Sequence, residues 1–195
     1  HKSSHLSVGL GARFTGSLGN KNPHYETAQI DLRRESNFIF SQQVAAHIDT
    51  LQLHQTQTNT LNAVISLRYS RKKYDVSLDM DMAGFGFGPT QEATLFFGEQ
   101  SEASRLVLAE PAPRNLLLLG DNNVGTLHST LSVNYHYRAQ WDLCLGISQL
   151  RCEYRIDKPV LYKASTGIIV NTDRYKQTAI GLLLGTRYHF HSKKS

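Results

Sequence analysis

The chain has 195 residues, 40% of them hydrophobic, with 21 Lys and Arg against 16 Asp and Glu for a formal charge of +5. That length fits a single domain over residues 1–195, and no apolar run approaches the roughly 18 residues of a spanning helix, 116–119 being far too short, so a helical membrane protein is excluded. The basic residues are scattered apart from Arg71, Lys72 and Lys73 and the pair Lys193 and Lys194, with no aromatic platform beside them, which argues against nucleic acid.

From the N-terminus, Leu6, Val8, Leu10, Ala12 and Phe14 alternate with Ser7, Gly9, Gly11, Arg13 and Thr15. Strand side chains point to opposite faces with period two, so this segment predicts a strand with one apolar face and one small, polar face. Residues 16–24 supply Gly, Asn and Pro and read as a loop. Ala28, Ile30 and Leu32 then oppose Gln29, Asp31 and Arg33, and a tight turn at 35–37 leads to Phe38 and Phe40. Val44, Ile48 and Leu51 also fit helical spacing, so a short helix within 41–52 competes with strand there.

Residues 54–60 read as a polar loop. Leu61, Ala63, Ile65, Leu67 and Tyr69 turn at 71–73 into Tyr74, Val76, Leu78, Met80 and Met82, the clearest hairpin, with Asp75, Ser77, Asp79 and Asp81 on its other face. Gly84, Gly86 and Gly88 lack the strand-to-helix setting of a nucleotide loop and read as positions where the backbone bends. Residues 88–125 read as a long external loop whose apolar pieces 94–97, 105–108 and 115–119 offer two further strands. Leu127, Leu131, Val133, Tyr135 and Tyr137 oppose His128, Thr130, Ser132, Asn134 and His136. After a turn at 138–140, Trp141, Leu143, Leu145 and Ile147 oppose Asp142, Cys144, Gly146 and Ser148.

Cys144 and Cys152 permit a disulfide if the chain turns near Gln149, whereas one strand through both holds them too far apart; pairing stays open. Residues 157–177 read as another loop. The closing strand alternates Ile180, Leu182, Leu184, Thr186, Tyr188 and Phe190 with small or polar residues.

Short turns at 35–37, 71–73 and 138–140 thus alternate with longer connections at 16–25, 53–60, 88–125 and 156–177. Together these features predict an all-β fold: a closed antiparallel up-and-down transmembrane β-barrel of eight strands, or ten, with short turns in the periplasm and long loops outside. The mean hydropathy of −0.35 is compatible with this, because such a barrel presents only every second residue to lipid. The chain resembles the small outer-membrane β-barrel class, in the style of the OmpA transmembrane domain and of OmpW-like and OmpX-like proteins. The resemblance covers nearly the whole length and is architectural. The closing strand is similar to the C-terminal assembly signal of that class, although His191 to Ser195 follow its terminal aromatic Phe190. The chain starts at His1 with no apolar leader, so an export signal is expected to have been removed.

A narrow barrel is filled by side chains, so the inner Arg13, Arg33, Arg68 and Arg187 are expected to pair with Asp31, Asp79, Asp81 and Asp142 as an ion-pair core. Tyr69, Tyr74, Tyr135, Tyr137, Trp141, Tyr188 and Phe190 fall near the short turns and read as an aromatic girdle. His128, Ser132 and Asp142 are the candidates for a lipid-modifying enzyme, if they converge. His189 and His191, with His136 nearby, do not make a metal site, and no cofactor is expected.

The function expected is a structural, adhesive or complex-forming component of the bacterial outer membrane. Its partners would be outer-membrane lipid, lipopolysaccharide and another envelope protein. A lipid-modifying barrel enzyme and a narrow pore for small or hydrophobic solutes are the alternatives, and a soluble ligand-binding barrel is the competitor outside the membrane.

Overall fold

The computed structural model describes residues 5–28, 48–97, 104–118, 123–138, 140–163 and 169–188; among them the protein is all-β, with no helix. The strands are β1 (His5–Gly19), β2 (His24–Thr27), β3 (Thr50–Leu53), β4 (Thr56–Ser70), β5 (Tyr74–Phe87), β6 (Gln91–Phe96), β7 (Ser104–Pro111), β8 (Arg114–Leu116), β9 (Leu127–Arg138), β10 (Trp141–Lys163) and β11 (Ile169–Tyr188). They form one antiparallel sheet in the order β1-β4-β5-β9-β10-β11-β2-β3-β6-β7, with β8 against β5 and a further pairing of β7 with β10.

Six long strands, β1, β4, β5, β9, β10 and β11, make a wall. Their register follows from the alternation in the sequence: Leu10 lies opposite Ile65, Leu67 opposite Leu78, Leu78 opposite Leu131, and Leu145 opposite both Val133 and Leu184. A slip of one residue would swap every one of these side chains to the other face. The turn at 71–73 joins β4 to β5, closed by the Arg71 amide donating to the Tyr74 carbonyl at 2.8 Å.

Beyond the wall, the expected loops are built as strands. β11 pairs with β2 at residues 175–176, β2 with β3, β3 with β6, β6 with β7, and β7 returns to β10 at residues 154–156, so the pairings close into a six-strand ring. Leu51, Leu53, Ala93, Leu95, Val107, Ala109, Tyr25, Tyr154, Ile156 and Tyr175 fill it, and several of these are wholly buried. The Tyr25 and Tyr154 rings meet edge to face at 5.1 Å.

Two expected loops are therefore corrected, and two readings left open by the sequence are resolved. Within 88–125 the apolar pieces do form strands: the described residues carry β6, β7 and β8, and Ala93 with Leu95 and Val107 with Ala109 give β6 and β7 a face that the ring buries. Residues 157–177 are mostly strand, with the Asp157, Lys158 and Pro159 chemistry absorbed in a register shift between Arg155 and Val160. The polar run 54–60 is a two-residue link followed by β4, whose Thr56, Thr58 and Thr60 point inward. No turn occurs at Gln149, since β10 runs straight through both cysteines, and both are free thiols. Eight residues of strand span roughly 26 Å, well past disulfide reach.

The expected strands over 26–33 and 38–40 fall largely outside the described residues, as does most of the competing helix at 41–52, although 50–52 are strand. Among the described residues β1 pairs only with β4, and β11 from residue 177 to 188 pairs only with β10.

Candidate functional site

The two faces of the wall differ in chemistry. One carries Leu6, Val8, Leu10 and Phe14 of β1, Leu61 and Leu67 of β4, Leu131 and Val133 of β9, Leu143, Leu145 and Ile147 of β10, and Ile180, Leu182 and Leu184 of β11, all exposed. Contiguous apolar surface beyond a few hundred Å² marks contact with a partner or a membrane. At the turn end of this face stand Tyr69, Tyr74, Tyr135, Tyr137, Trp141 and Tyr188, each exposed on the same side as the aliphatic rows. Trp141 and Tyr188 pack edge to face at 5.0 Å, and the Arg71 and Arg138 guanidinium groups lie over the Tyr69 and Tyr137 rings. Phe190 is outside the described residues.

The opposite face is concave. Strands that are not neighbours touch across it: Arg187 of β11 reaches Asp75 of β5 at 3.7 Å, Thr58 of β4 donates to the Tyr154 hydroxyl of β10 at 3.0 Å, and Ser17 of β1 lies 3.9 Å from the Cys152 sulfur. The charges of this hollow gather at two buried carboxylates. Asp81 pairs with Arg13 at 3.3 Å and accepts from the Asn62 amide at 2.6 Å and the His128 backbone amide at 3.0 Å. Asn62 is held in turn by Asn115 at 2.8 Å.

Two local features place this group. A bulge at Met82 shifts the β5 register between the Ala63–Ala83 and Val64–Asp81 pairs, so that Asp81 and Gly84 both face inward. At Gly84 a Cβ would press on the Leu61 carbonyl and the Asn62 amide.

The second carboxylate, Asp75, accepts from Asn134 at 2.6 Å and has Arg68, Arg187 and His136 Nε2 at 3.9, 3.7 and 3.9 Å. The other ring nitrogen of His136 meets Asp142 at 2.8 Å. Between the two groups, Asp79 accepts from Ser66 at 2.5 Å and from Thr130 at 3.5 Å, and the Ser77 and Ser132 hydroxyls share a bond of 2.9 Å.

The arginines expected inside thus meet carboxylates, but not always the expected ones. Arg13 faces Asp81, whereas Arg68 and Arg187 share Asp75, Asp142 takes a histidine and Asp79 takes hydroxyls. Asp31 and Arg33 lie outside the described residues. Asp75 and His136 are the hub that the sequence reading left out of its pairings, though both sit on the polar rows it identified.

His128, Ser132 and Asp142 do not converge. His128 and Ser132 are four residues apart on β9, and Asp142 lies opposite His136, a further four residues along, so each step is roughly 13 Å. The Ser132 hydroxyl faces Ser77 rather than a base. Asp75, His136 and Asp142 bring ligand-type atoms within 4.8 Å of one another, as a cation site would. Arg68 and Arg187 already place two positive charges on Asp75, so the group is balanced as an ion-pair network. His189 and His191 are outside the described residues.

Burial in the ring raises the Tyr25, Tyr154 and Tyr175 hydroxyls above their ordinary range, chiefly because the anion would lose its water. The Cys152 thiol is raised for the same reason. Comparison with family models, curated proteins and solved structures finds no match to this chain.

Proposed function

We propose that the chain is an integral β-barrel of the bacterial outer membrane that acts as a structural, adhesive or complex-forming component, with outer-membrane lipid and lipopolysaccharide around it and an envelope protein as its further partner. One observation carries the reading: an aliphatic face runs exposed across the wall while Asp75, Asp81 and Asp142 are buried and paired on the other side. A water-soluble sheet would do the reverse. On β11 the exposed row from Ile180 to Tyr188, which faces Trp141, Leu143, Leu145 and Ile147 of β10, spans nine residues, which fits the roughly 9–11 of a tilted membrane strand. The reading carries eight spanning strands and a closed wall, because an unpaired backbone edge costs several kcal/mol in hydrocarbon. The outer edges of β1 and β11 must therefore be paired in the bilayer.

The working surface is the ring, in place of the loop expected at 88–125. A lipid-modifying enzyme finds less support, since the two ring nitrogens of His136 face Asp142 and Asp75 rather than a hydroxyl. A pore also finds less support, because tyrosine and leucine side chains pack the ring interior.

Extraction and gel migration test the proposal together. The chain is expected to need detergent to stay monodisperse and to migrate differently on a gel before and after boiling. A folded chain that is monodisperse in plain buffer would overturn it.

A further inference from the structure

Three connections join the wall to the ring on the side of β1, β4 and β5, and they meet at one place. β1 leads into β2 through 20–23, β3 into β4 through 54–55, and β5 into β6 through 88–90. A cavity of about 430 Å³ opens there, with Leu18 and Asn20 beside the first connection, Gln55 and Gln57 at the second, and Pro89 and Gln91 at the third. That volume falls within the roughly 300–1,000 Å³ of small-molecule sites.

The walls of the cavity are held by groups other than these amides. Lys21 and Asn22 have left-handed backbone, with φ of 69° and 55°. Their turn is tied to the second connection by the Leu53 amide, which donates to the Pro23 carbonyl at 3.2 Å, and by Asn22 Oδ1, 3.3 Å from the His54 ring. Thr56 is buried between Gln55 and Gln57 and bonds to the Tyr25 side chain of the ring. At Gly88 the third connection passes so close to the Gln57 carbonyl that a Cβ would collide with it.

The side chains of Asn20, Gln55, Gln57 and Gln91 are left without a hydrogen-bond partner among the described residues, and no side chain lining the cavity is charged. A second cavity, of about 460 Å³, is the opposite case: Arg155 and Arg174 line it, but they are committed to Asp173 and Glu153. An amide offers two N–H donors and one carbonyl acceptor, so a set of amides matches groups that themselves both donate and accept. Hydroxyls do so. An anion would give the carbonyls nothing, and a cation would give the N–H groups nothing. Leu18 and Pro89 add apolar surface on which C–H groups can rest.

We infer that this cavity binds a neutral pyranose unit of a glycan, with its hydroxyls on Asn20, Gln55, Gln57 and Gln91 and its C–H face on Leu18 and Pro89. Leu18 also ends the exposed β1 row of Leu6, Val8, Leu10 and Phe14. On the membrane reading above, that level is the outer surface of the bilayer, where the glycan of a membrane lipid is presented. The choice of an anchored over a soluble glycan rests on that reading; the amide chemistry does not.

The test uses the whole chain in discs of dimyristoyl phosphatidylcholine, with saturation-transfer NMR as the readout. Methyl glucoside, galactoside, mannoside and N-acetylglucosaminide are the neutral probes, and methyl glucuronide is the charged one. At least one neutral glycoside is expected to bind, and the glucuronide to bind about tenfold more weakly, since its carboxylate would be left unpaired. Gln57→Ala and Gln91→Ala should each weaken binding of that glycoside about fivefold, the order of one neutral hydrogen-bonding group. Gln177→Ala, which removes an exposed amide of β11 outside the cavity, should change nothing. Unchanged heat-dependent migration shows that each variant is folded. A diacylglycerol bearing the same sugar, added to the disc, should displace the methyl glycoside; failure to displace it marks the soluble glycan as the source.

No binding by any neutral glycoside, equal binding of the glucuronide, or unchanged affinity in folded Gln57→Ala and Gln91→Ala would overturn the inference. A chain that is monodisperse without detergent loses the membrane reading, but the methyl glycosides then test the cavity in plain buffer, so the two failures are told apart.

Discussion

Asp81 collects Arg13, the Asn62 amide and the His128 backbone amide on one carboxylate that solvent barely reaches. Removing one partner of a buried pair leaves the other charge without compensation, at a typical 3–5 kcal/mol. Asp81→Ala should therefore cost about 3 kcal/mol, and Asp81→Asn less, because an amide still accepts from Asn62. Urea unfolding followed by the fluorescence of Trp141, the single tryptophan, measures both.

Tyr175 differs from Tyr154: its buried hydroxyl has no hydrogen-bond partner among the described residues, whereas that of Tyr154 accepts from Thr58. Tyr175→Phe should be neutral or stabilising by about 1 kcal/mol, and Tyr154→Phe should cost about as much, since it strands the threonine. Both tyrosines, with Tyr25, hold their protons above the ordinary value of 10. In the unfolded chain the hydroxyls ionise near pH 10 while the folded ones stay neutral, so the unfolded state then binds fewer protons and stability falls as pH rises. The melting temperature should hold level below pH 10 and decline above it, and Tyr175→Phe should make the decline shallower.

Among elements, β10 separates what alternation can say from what it cannot. Its lower half was legible because Trp141, Leu143, Leu145 and Ile147 alternate with small or polar residues. Its upper half was not, because from Arg151 to Ile156 the charged residues take the face that had been aliphatic, and the hydrophobic ones turn inward. That exchange hid Glu153, Arg155 and Arg174, which were not singled out. The only available signal was period-two alternation continuing across a change of polarity.

The ring strands were obscured differently. β2 and β3 have four residues each, too few for a period to stand out, and they gain stability only by packing together. Two expectations for β10 follow. Leu145→Lys should cost about 2–4 kcal/mol for folding into lipid vesicles, as a lysine at mid-depth on a lipid face does, yet almost nothing if that face meets water. Cys144, partly exposed, should react with a maleimide faster than buried Cys152, and a reductant should leave gel migration unchanged.

At the scale of the molecule, a polar hollow leads to a ring packed with Leu51, Leu53, Leu95, Tyr25, Tyr154 and Tyr175. Voltage-clamped planar bilayers containing the chain should show no discrete conductance steps, whereas a lumen open through the ring would give them. The wall was legible from residue patterning because each of its strands is long and two-faced. The ring was not, since its closure depends on β7 meeting β10 across more than forty residues of chain, and nothing local encodes that meeting.

β10 and β11 are paired without interruption from Trp141 and Tyr188 up to Arg155 and Arg174, through the level where the aliphatic row ends. The ring consequently stands on two stiff posts rather than on a tether. Along this stretch β10 and β11 offer no break at which to swivel, so a force applied to the ring runs along those posts and is shared by a whole ladder of hydrogen bonds. Strands paired this way should yield in a single abrupt rupture when the ring is pulled along them, and the ring should not unravel while the posts hold.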